Sequence, residues 1–344
     1  MKILCRELLA ALDLTVVAAA KKGKIEQLSH FIFTGDEIVT FNNEMAIFFQ
    51  FETPFTCSVK ADMFRKQLSK FKSEYISIDM VKNRLHIRGD NEKASIGVST
   101  QKDDEIFKLL HSIQNDHADS ERHMLPDNFG TGVAFASFSA SKKSDGGIFQ
   151  CVHIEDRYIH SSDRYRATQF MMSNAIKHKL IIKRDVVNSF SDFSIRQYSV
   201  GDSWVSFYCD NGVTLSARMV FGEYPDLKPV FNSDGWGTAE FPAEIGDAID
   251  FASVTLDGND KMEKVGHISV DKAGYTVSAE TSSRSSEKTI LFDNSQIKTT
   301  MGFFINFDFL KTILKHTQKF SYDAVSKRVM FADENFKHVI RLAV

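Results

Sequence analysis

Proline is scarce in this sequence of 344 residues, with five prolines against thirty phenylalanines. Because proline interrupts both sheets and helix interiors, this ratio favours long, regular strands and helices. Cysteine is scarce as well: Cys5, Cys57, Cys151 and Cys209 lie far apart and form no C-x-x-C pair. Such spacing predicts free thiols in a reducing compartment and argues against a zinc site.

Long apolar runs are also missing. The run from Met45 to Phe51 is interrupted by Gln50, and it is far shorter than the roughly 20 residues that cross a membrane. The first residues, MKILCREL, contain no secretory cleavage signal. We therefore expect a chain of two or three domains, at roughly 100–200 residues each, that stays in the cytoplasm and binds no membrane.

The common catalytic and nucleotide-binding signatures are absent too. The eleven histidines form no H-E-x-x-H motif, and no Walker loop, G-x-G-x-x-G or G-x-S-x-G motif is present. The acidic segment DGNDKME from Asp257 lacks the ligand spacing of a calcium loop. His160 and Asp163 flank Ser161 and Ser162, but neighbouring residues of a strand point to opposite faces, which disfavours a hydrolase site. We expect no enzymatic activity, no metal and no cofactor.

Positive charge is unevenly distributed. The net charge is -3 and the pI is about 6.4. Lysine and arginine are concentrated in the windows Lys21–Lys24, Lys60–Lys72, Lys177–Arg196 and Asp308–Lys319, and the remaining sequence is acidic. One face of the protein could therefore meet phosphate groups while the rest repels them. The simpler interpretation is that each window is a solvated helix face.

The sequence repeats three times at equal spacing. The strings VKADMFRKQLSKF, IKRDVVNSFSDF and INFDFLKTILKHT begin at Val59, Ile182 and Ile305, at intervals of 123 residues. Each string starts at an apolar strand end, continues through an aspartate and then shows apolar residues at helical spacing. An aspartate oxygen can accept from the free N–H groups of a first helical turn. The aspartates predicted to be N-caps are Asp62, Asp185 and Asp308.

Paired β-like runs follow each repeated helix, and a further helical pattern covers Arg6 to Ala20. We predict an α+β fold of three repeated domains, each with a helix pair packed on antiparallel sheet. The predicted domains are residues 1–124, 125–235 and 236–344.

Four segments carry a specific resemblance to a known family. They are SSDRYRATQF from Ser161, FGEYPDLKPVF from Phe221, GFFINFDFLKTIL from Gly302 and HVIRLAV from His338. Each is similar to a segment of the bacterial sliding clamp, the β subunit of the replicative DNA polymerase, and their order and the threefold repeat extend the resemblance over the whole chain. The resemblance implies a clamp-like ring of six domains, formed by a homodimer, with helices around a hole and sheets outside.

A ring of this kind is a processivity factor. It encircles double-stranded DNA, tethers the replicative DNA polymerase and is opened by a clamp loader. The charge pattern then has a reason, because a basic lining attracts duplex phosphates without reading their sequence. The residues expected to face DNA are Lys21, Lys22, Lys24, Arg65, Lys66, Lys70, Lys72, Lys183, Arg184, Lys311, Lys315 and Lys319.

The family's partner site is a hydrophobic cleft between its second and third domains, where short peptides of polymerase and clamp loader dock. Three parts of this sequence match it: SSDRYRA with the strand before it, EYPDLKPV, and the C-terminal tail. The residues implied for the cleft are Val152, Ser162, Arg164, Tyr165, Arg166, Ala167, Pro225, Pro229, Val230, His338, Val339, Ile340 and Arg341.

The sequence departs from the family at this cleft. Arg164 and Tyr165 stand where the family usually has Gly-His, Ala167 stands where it has Leu, and the tail lacks a Met-Pro-Met run. These departures leave the peptide preference of the cleft open. They suit a divergent member such as a phage-encoded clamp, which would work on DNA in the host cytoplasm.

Two chains are expected to meet at strand edges. The segment KASIGVS offers Ile96 and Val98, and the third domain offers Val254 and the SEKTILFD strand with Ile290. These positions match the family's subunit interface and are the predicted dimer contacts.

A second interpretation remains open, a non-ring β-rich protein that binds single-stranded DNA or forms part of a virion. Its repeats would simply stack, and a stacked array needs polar caps, whereas a ring needs matched edge strands at its two ends. The alternating apolar residues of the two edge segments favour the ring.

Overall fold

The computed structural model describes residues 1–20, 26–100, 105–143, 145–256, 264–293, 300–323 and 325–341. Lys21, Lys22 and Lys24, which the sequence predicts to face DNA, lie outside these residues. Helices and strands alternate along the described chain, which confirms the predicted α+β class.

The helices are α1 (Cys5–Thr15), α2 (Ala61–Leu68), α3 (Glu105–Asn115), α4 (Phe129–Ser137), α5 (Arg184–Asn188), α6 (Ile245–Leu256) and α7 (Phe307–Leu314). The strands are β1 (Lys2–Leu4), β2 (His30–Phe33), β3 (Glu37–Phe41), β4 (Met45–Gln50), β5 (Cys57–Lys60), β6 (Tyr75–Val81), β7 (Arg84–Arg88), β8 (Lys93–Gly97), β9 (His123–Met124), β10 (Cys151–Glu155), β11 (Tyr158–Ser162), β12 (Arg166–Met171), β13 (Leu180–Lys183), β14 (Ile195–Val200), β15 (Trp204–Cys209), β16 (Val213–Arg218), β17 (Gly237–Glu240), β18 (Val265–Asp271), β19 (Gly274–Glu280), β20 (Ser285–Leu291), β21 (Met301–Asn306), β22 (Lys319–Asp323), β23 (Arg328–Ala332) and β24 (Phe336–Arg341). Short 3-10 helices cover Val16–Ala18, Glu26–Ser29, Gly147–Gln150, Ser189–Asp192 and Lys228–Phe231.

In chain order the described elements form six β-α-β-β-β units. The first is β1-α1-β2-β3-β4 and the second is β5-α2-β6-β7-β8, and the pattern recurs from β9, β13, β17 and β21, with α3 as an extra helix before β9. Each repeat seen in the sequence therefore consists of two shorter units. Val59, Ile182 and Ile305 lie in the first strand of the second, fourth and sixth units.

The chain divides into two compact units by its contacts. Unit 1 is Met1–Gly130 with Ile176–Phe221, and unit 2 is Thr131–Ala175 with Gly222–Val344. The division into three domains, predicted from the repeat, stays a prediction.

Unit 1 contains a four-stranded antiparallel sheet, β1-β6-β7-β8, and a second sheet in the order β5-β2-β3-β4-β16-β15-β14-β9. Helices α1 and α2 pack on one another and bury one apolar stripe each. Phe64 and Leu68, four residues apart on α2, are fully buried, and the Phe64 ring lies edge-on to Phe33 at 5.9 Å. Burial of such a side chain stabilises the fold by about 1.5–3 kcal/mol.

The predicted aspartate N-caps are wrong by two positions. The N-cap residues of α2, α5 and α7 are Lys60, Lys183 and Asn306, and the aspartate is the second residue of each helix. Only at α7 does an N-cap side chain bind the first turn, where the Phe309 N–H donates to Asn306 Oδ1 at 3.0 Å. The aspartates instead place negative charge beside the N-terminal end of the helix dipole, which is also favourable.

Unit 2 contains strands in the order β10-β11-β12-β24-β23-β22-β17 and a four-stranded sheet in the order β20-β19-β18-β21. The antiparallel pair β12 and β24 joins two β-α-β-β-β units, with Ala167 opposite Val339. Fully buried aromatic side chains fill the core, among them Tyr275, Phe303 and Phe331.

The four cysteines are free, and Cys5, Cys57 and Cys151 are buried. Burial raises the pKa of the Cys57 thiol to about 12, so this thiol stays protonated and unreactive at neutral pH. Within the described ranges, no helix has the length and apolar character that crossing a membrane requires.

Candidate functional site

A groove of about 300 Å³ lies beside the β12–β24 junction of unit 2. It brings together the turn before β12, the 3-10 helix at Lys228–Phe231, the β22–β23 turn and the end of β24. Its lining, here called the groove, is Ser162, Arg164, Tyr165, Arg166, Ala167, Val230, Ser326, Arg328, Val339 and Arg341. Eight of these ten residues belong to the cleft expected from the sequence.

Hydrogen bonds fix the turn that forms one wall of the groove. Asp163 Oδ1 accepts from the backbone N–H groups of Tyr165 and Arg166 at 3.1 and 3.0 Å. Asp163 Oδ2 accepts from Arg166 Nε at 2.9 Å, and the Ser162 hydroxyl donates to the Arg166 carbonyl at 2.9 Å. Arg164, at the tip, has φ +77°, in the left-handed region. The turn is therefore built before any ligand arrives.

Strand alternation decides which tail residues reach the groove. Val339 and Arg341 line it, whereas His338 and Ile340 point to the other face of β24 and lie outside the lining. The His338 ring is fully buried, and its Nδ1 lies 2.8 Å from Thr168 Oγ1. Burial, with a smaller effect of nearby Arg166, lowers the pKa of His338 well below its usual value. His338 is therefore a neutral core residue.

Three other predicted cleft residues also lie outside the lining. Val152 is fully buried in β10, and Pro225 and Pro229 are exposed. Tyr224 attaches the segment that carries the prolines to β10, because its hydroxyl donates to the Cys151 carbonyl at 3.4 Å.

The structure adds Ser326 and Arg328 to the predicted set. Both follow β22, and antiparallel pairing of β23 with β24 places Arg328 opposite Arg341. The hairpin SYDAVSKRVMF could have indicated this, because the strand after a turn returns beside its neighbour.

The arginines of the groove differ in their partners. Arg166 pairs with Asp163. Arg164 stacks over the Phe149 ring, with its guanidinium carbon 5.0 Å from the ring centre, and Arg328 lies 5.9 Å from the ring centre of Trp236.

The residues near Ser161 form no catalytic set. The Ser161 hydroxyl donates to the Ala136 carbonyl. Burial, followed by the neighbouring His153 and Lys228, lowers the pKa of His160 to about 4. In the described part of the chain, no group of three or more His, Cys, Asp or Glu side chains is placed to hold a metal ion.

Three of the basic residues predicted to face DNA are already neutralised. Arg65 on α2 pairs with an aspartate of α1, Lys311 of α7 pairs with an aspartate of α6 at 2.6 Å, and Lys183 pairs with a glutamate at 2.7 Å. The partners are Asp13, Asp250 and Glu44. Of the residues predicted to face DNA, five lysines are exposed and form no ion pair among the described residues: Lys66, Lys70, Lys72, Lys315 and Lys319.

The predicted dimer contacts lie on or beside two edge strands and one helix. Ile96 in β8 is 6% exposed and belongs to the core of unit 1, with Val98 packed against that core. Ile290 is half-buried in β20, and Val254 on α6 is 63% exposed. Across the described residues, β8 and β20 each end a four-stranded sheet with one side unpaired.

Alternate backbone N–H groups point to these open edges. Two backbone hydrogen bonds, one at each end of β8, show which of its residues bond to β7. The Val98 N–H donates to the Asn83 carbonyl, and the Gly89 N–H donates to the Glu92 carbonyl. In an antiparallel pair the bonded residues alternate. The N–H groups that face the open edge are therefore those of Lys93, Ser95 and Gly97, and by the same count in β20 those of Ser285, Glu287, Thr289 and Leu291.

The six β-α-β-β-β units and the pairing of the strands define the fold of the bacterial sliding clamps. The β chain of DNA polymerase III from Streptococcus pneumoniae superposes with a TM-score of 0.76 at 14% identity, covering 100% of this chain and 99% of that one. The sliding clamp from Bacillus subtilis gives 0.74 at 13%, covering 100% and 98%. A clamp from Pseudomonas aeruginosa gives 0.74 at 12%, covering 100% and 99%.

The likeness confirms the resemblance at the level of the fold, over the full length of the chain. No family model matches the sequence, and no curated protein sequence matches it. The fold is therefore shared with the sliding clamps at very low sequence identity.

Proposed function

We propose that this protein is a DNA polymerase processivity factor that encircles double-stranded DNA as a closed homodimer. The observation that supports it best is the pair of open edges. The last strand of the first unit pairs with that of the fourth at β4–β16, and the last strand of the third pairs with that of the sixth at β12–β24. The last strands of the second and fifth units, β8 and β20, are the two that lack such a partner in the described residues. Two copies close a ring when β8 of each chain pairs with β20 of the other.

The charge distribution supports DNA as the encircled molecule. Lys66 on α2 and Lys70 just after it are exposed and lack ion pairs among the described residues, as do Lys315 just after α7 and Lys319 at the start of β22. Such cations attract the duplex backbone at every register, because phosphates repeat along it whatever the sequence. The protein then needs no catalytic site, and it works with DNA in the cytoplasm, or in the host cytoplasm if it is phage-encoded.

The groove supports the tethering part of the function. A concave site with a few apolar side chains and fixed polar groups is the usual form of a peptide-binding site. In this proposal the groove takes a short segment of the replicative polymerase, and a clamp loader opens the ring. The non-ring alternative is not favoured, because the whole chain shares the clamp fold.

Encirclement is tested by threading the protein onto linear duplex, which needs no loader. A duplex is fixed to a bead by one end, incubated with concentrated protein, capped at its free end by a bulky antibody complex and washed at about 0.5 M salt, where surface charge is screened. Protein capped onto the DNA should stay, and protein offered to duplex capped beforehand should not. Equal retention on both would contradict encirclement, as would a monomer mass by light scattering.

A further inference from the structure

We infer that the occupant of the groove is an acidic peptide, in which carboxylates flank one or two small apolar side chains. The inference rests on the proposed function, since it names the class of partner that docks in the groove. It is carried by the cations of the lining and by the apolar residues between them.

The groove has a strong excess of positive charge. Its lining contains four arginines and no aspartate or glutamate. Arg166 has its own carboxylate, Asp163. The Ser326 hydroxyl and, with a smaller effect, the charge of nearby Arg328 lower the pKa of the Asp323 carboxyl. Arg164, Arg328 and Arg341 form no ion pair among the described residues. Three guanidinium groups around one concave surface repel each other, and a ligand that brings carboxylates relieves that repulsion.

Two of these arginines are oriented in advance. Arg164 stacks over Phe149 and Arg328 lies over Trp236. Attraction to an aromatic ring uses no N–H donor of the guanidinium, so these groups stay available to bind a carboxylate with two parallel hydrogen bonds. Less side-chain entropy is then lost when the ligand binds.

The floor of the groove suits aliphatic side chains. Ala167 and Val339 face each other across the β12–β24 pair, and Val230 lies on the opposite wall. The volume, about 300 Å³, is at the small end of ligand pockets. Tyr165, 66% exposed at the rim, can cover a bound peptide. A nucleic acid would use the arginines but leave this aliphatic floor empty, so a peptide fits the surface better.

The test is a selection of random octapeptides displayed on phage, made against the intact dimer and against the double variant Arg164→Ala with Arg328→Ala. Peptides enriched by the wild-type protein should carry aspartate or glutamate next to leucine, valine or isoleucine, and the double variant should lose this acidic preference. A labelled peptide from the wild-type selection should bind at least about tenfold more weakly to each single variant, because a hydrogen bond to a charged group is lost. Arg328→Lys, which keeps the charge but not the paired N–H groups, should bind with intermediate affinity.

The matched control is Arg218→Ala, an exposed arginine of unit 1 outside the groove, which should bind the peptide as the wild type does. Enriched peptides that are neutral or basic, or no enrichment at all, would overturn the inference. So would displacement of the peptide by a single-stranded 12-mer oligonucleotide whose binding needs the same arginines. The bead-threading measurement is repeated on each variant. If threading is retained but the selection fails, only the inference of an acidic peptide is contradicted. If threading fails, the proposed ring is contradicted.

Discussion

Arg164 holds a backbone conformation that L-residues with side chains seldom adopt. Its φ of +77° lies in the left-handed region, at a position where the sliding clamps usually have glycine. The conformation costs about 1 kcal/mol for a residue with a Cβ atom. Its persistence in an arginine is understandable if the guanidinium serves the ligand, because the turn is held by Asp163 whichever residue stands at its tip.

We predict that Arg164→Gly is more stable than Arg164→Ala by about 1 kcal/mol, because glycine adopts this φ without strain. Both variants lose the contact with Phe149, so the difference between their stabilities reports the cost of the backbone conformation alone. The free energy of unfolding is measured by urea titration of the two variants side by side. Equal stability, or a more stable alanine variant, would show that the turn relaxes to a different conformation.

His160 makes the stability of unit 2 depend on pH. It lies in a stack between His153 and Phe231, and burial lowers its pKa to about 4, from about 6.5 in the unfolded chain. The unfolded chain therefore binds more protons between these two values. This contribution to stability is fully present above about pH 6.5 and is lost as the pH falls towards 4, by about 3 kcal/mol. Lys228 strengthens the shift and Asp226 opposes it.

The corresponding prediction is that His160→Phe flattens the loss of stability between pH 7 and pH 4. The aromatic stack is kept, and the ring nitrogen Nε2, which has no hydrogen-bond partner within the described structure, is removed. Urea midpoints are compared across this range with His111→Phe, an exposed histidine, as the control. An unchanged slope in His160→Phe would assign the acid sensitivity to other groups, such as buried His338.

Sequence reasoning located the groove but not every side chain in it. Matching SSDRYRA and the tail by position identified both strands that form the junction. It did not distinguish the two faces of β24, so Ile340 and His338 were grouped with Val339 and Arg341. Which face a strand residue occupies depends on its register against β12, a long-range property that no short window contains.

At the scale of helices, the ion pairs Asp13–Arg65 and Asp250–Lys311 join the two members of a helix pair. They occur in the first and the last of the three sequence repeats. In the proposed complex each carboxylate competes with DNA for the cation, so both pairs would reduce the positive charge available to phosphate.

We predict that Asp13→Asn with Asp250→Asn strengthens DNA binding and steepens its salt dependence. Each released cation that meets a phosphate adds up to about 0.9 to the slope of log affinity against log salt. The slope is measured by titration of linear duplex with open ends at several salt concentrations. Glu7→Gln, at an exposed glutamate of α1 with no ion pair among the described residues, is the control for lost negative charge alone. Identical slopes in wild type and double variant would place the two helix pairs away from DNA.

Elements of strong local pattern were predictable from the sequence. The amphipathic runs after Val59 and Ile305 are α2 and α7, and the edge strands β8 and β20 lie where alternation placed them. Helix α3 was missed, although Ile106, Leu110 and Ile113 are buried at helical spacing. It belongs to no repeat, so a search for self-similarity passes over it. The aspartates were assigned to the N-cap because sequence alone does not reveal that each helix starts two residues earlier.

For the whole molecule, the proposed contact between two chains is at the open strand edges. We predict that Ser95→Pro makes the protein monomeric, because the Ser95 N–H points to the open edge of β8 and proline removes it. Ser95→Ala keeps the N–H and should remain a dimer. Mass by light scattering is measured for both, with circular dichroism to check the fold. A dimeric Ser95→Pro protein would move the interface away from β8. Charging Ile96 is a poorer test, since that side chain belongs to the core.

In the proposed ring around a duplex, the helix-pair ion bridges have a further consequence. Each cation that binds a phosphate must dissociate from it before the protein can slide along the DNA. A lining in which every cation is free would therefore slow sliding. The ion pairs of Arg65 with Asp13 and of Lys311 with Asp250 would weaken the binding of these two cations to phosphate. In the proposed ring, the protein therefore binds phosphate less tightly and slides more easily, and it stays on the DNA because the ring is closed.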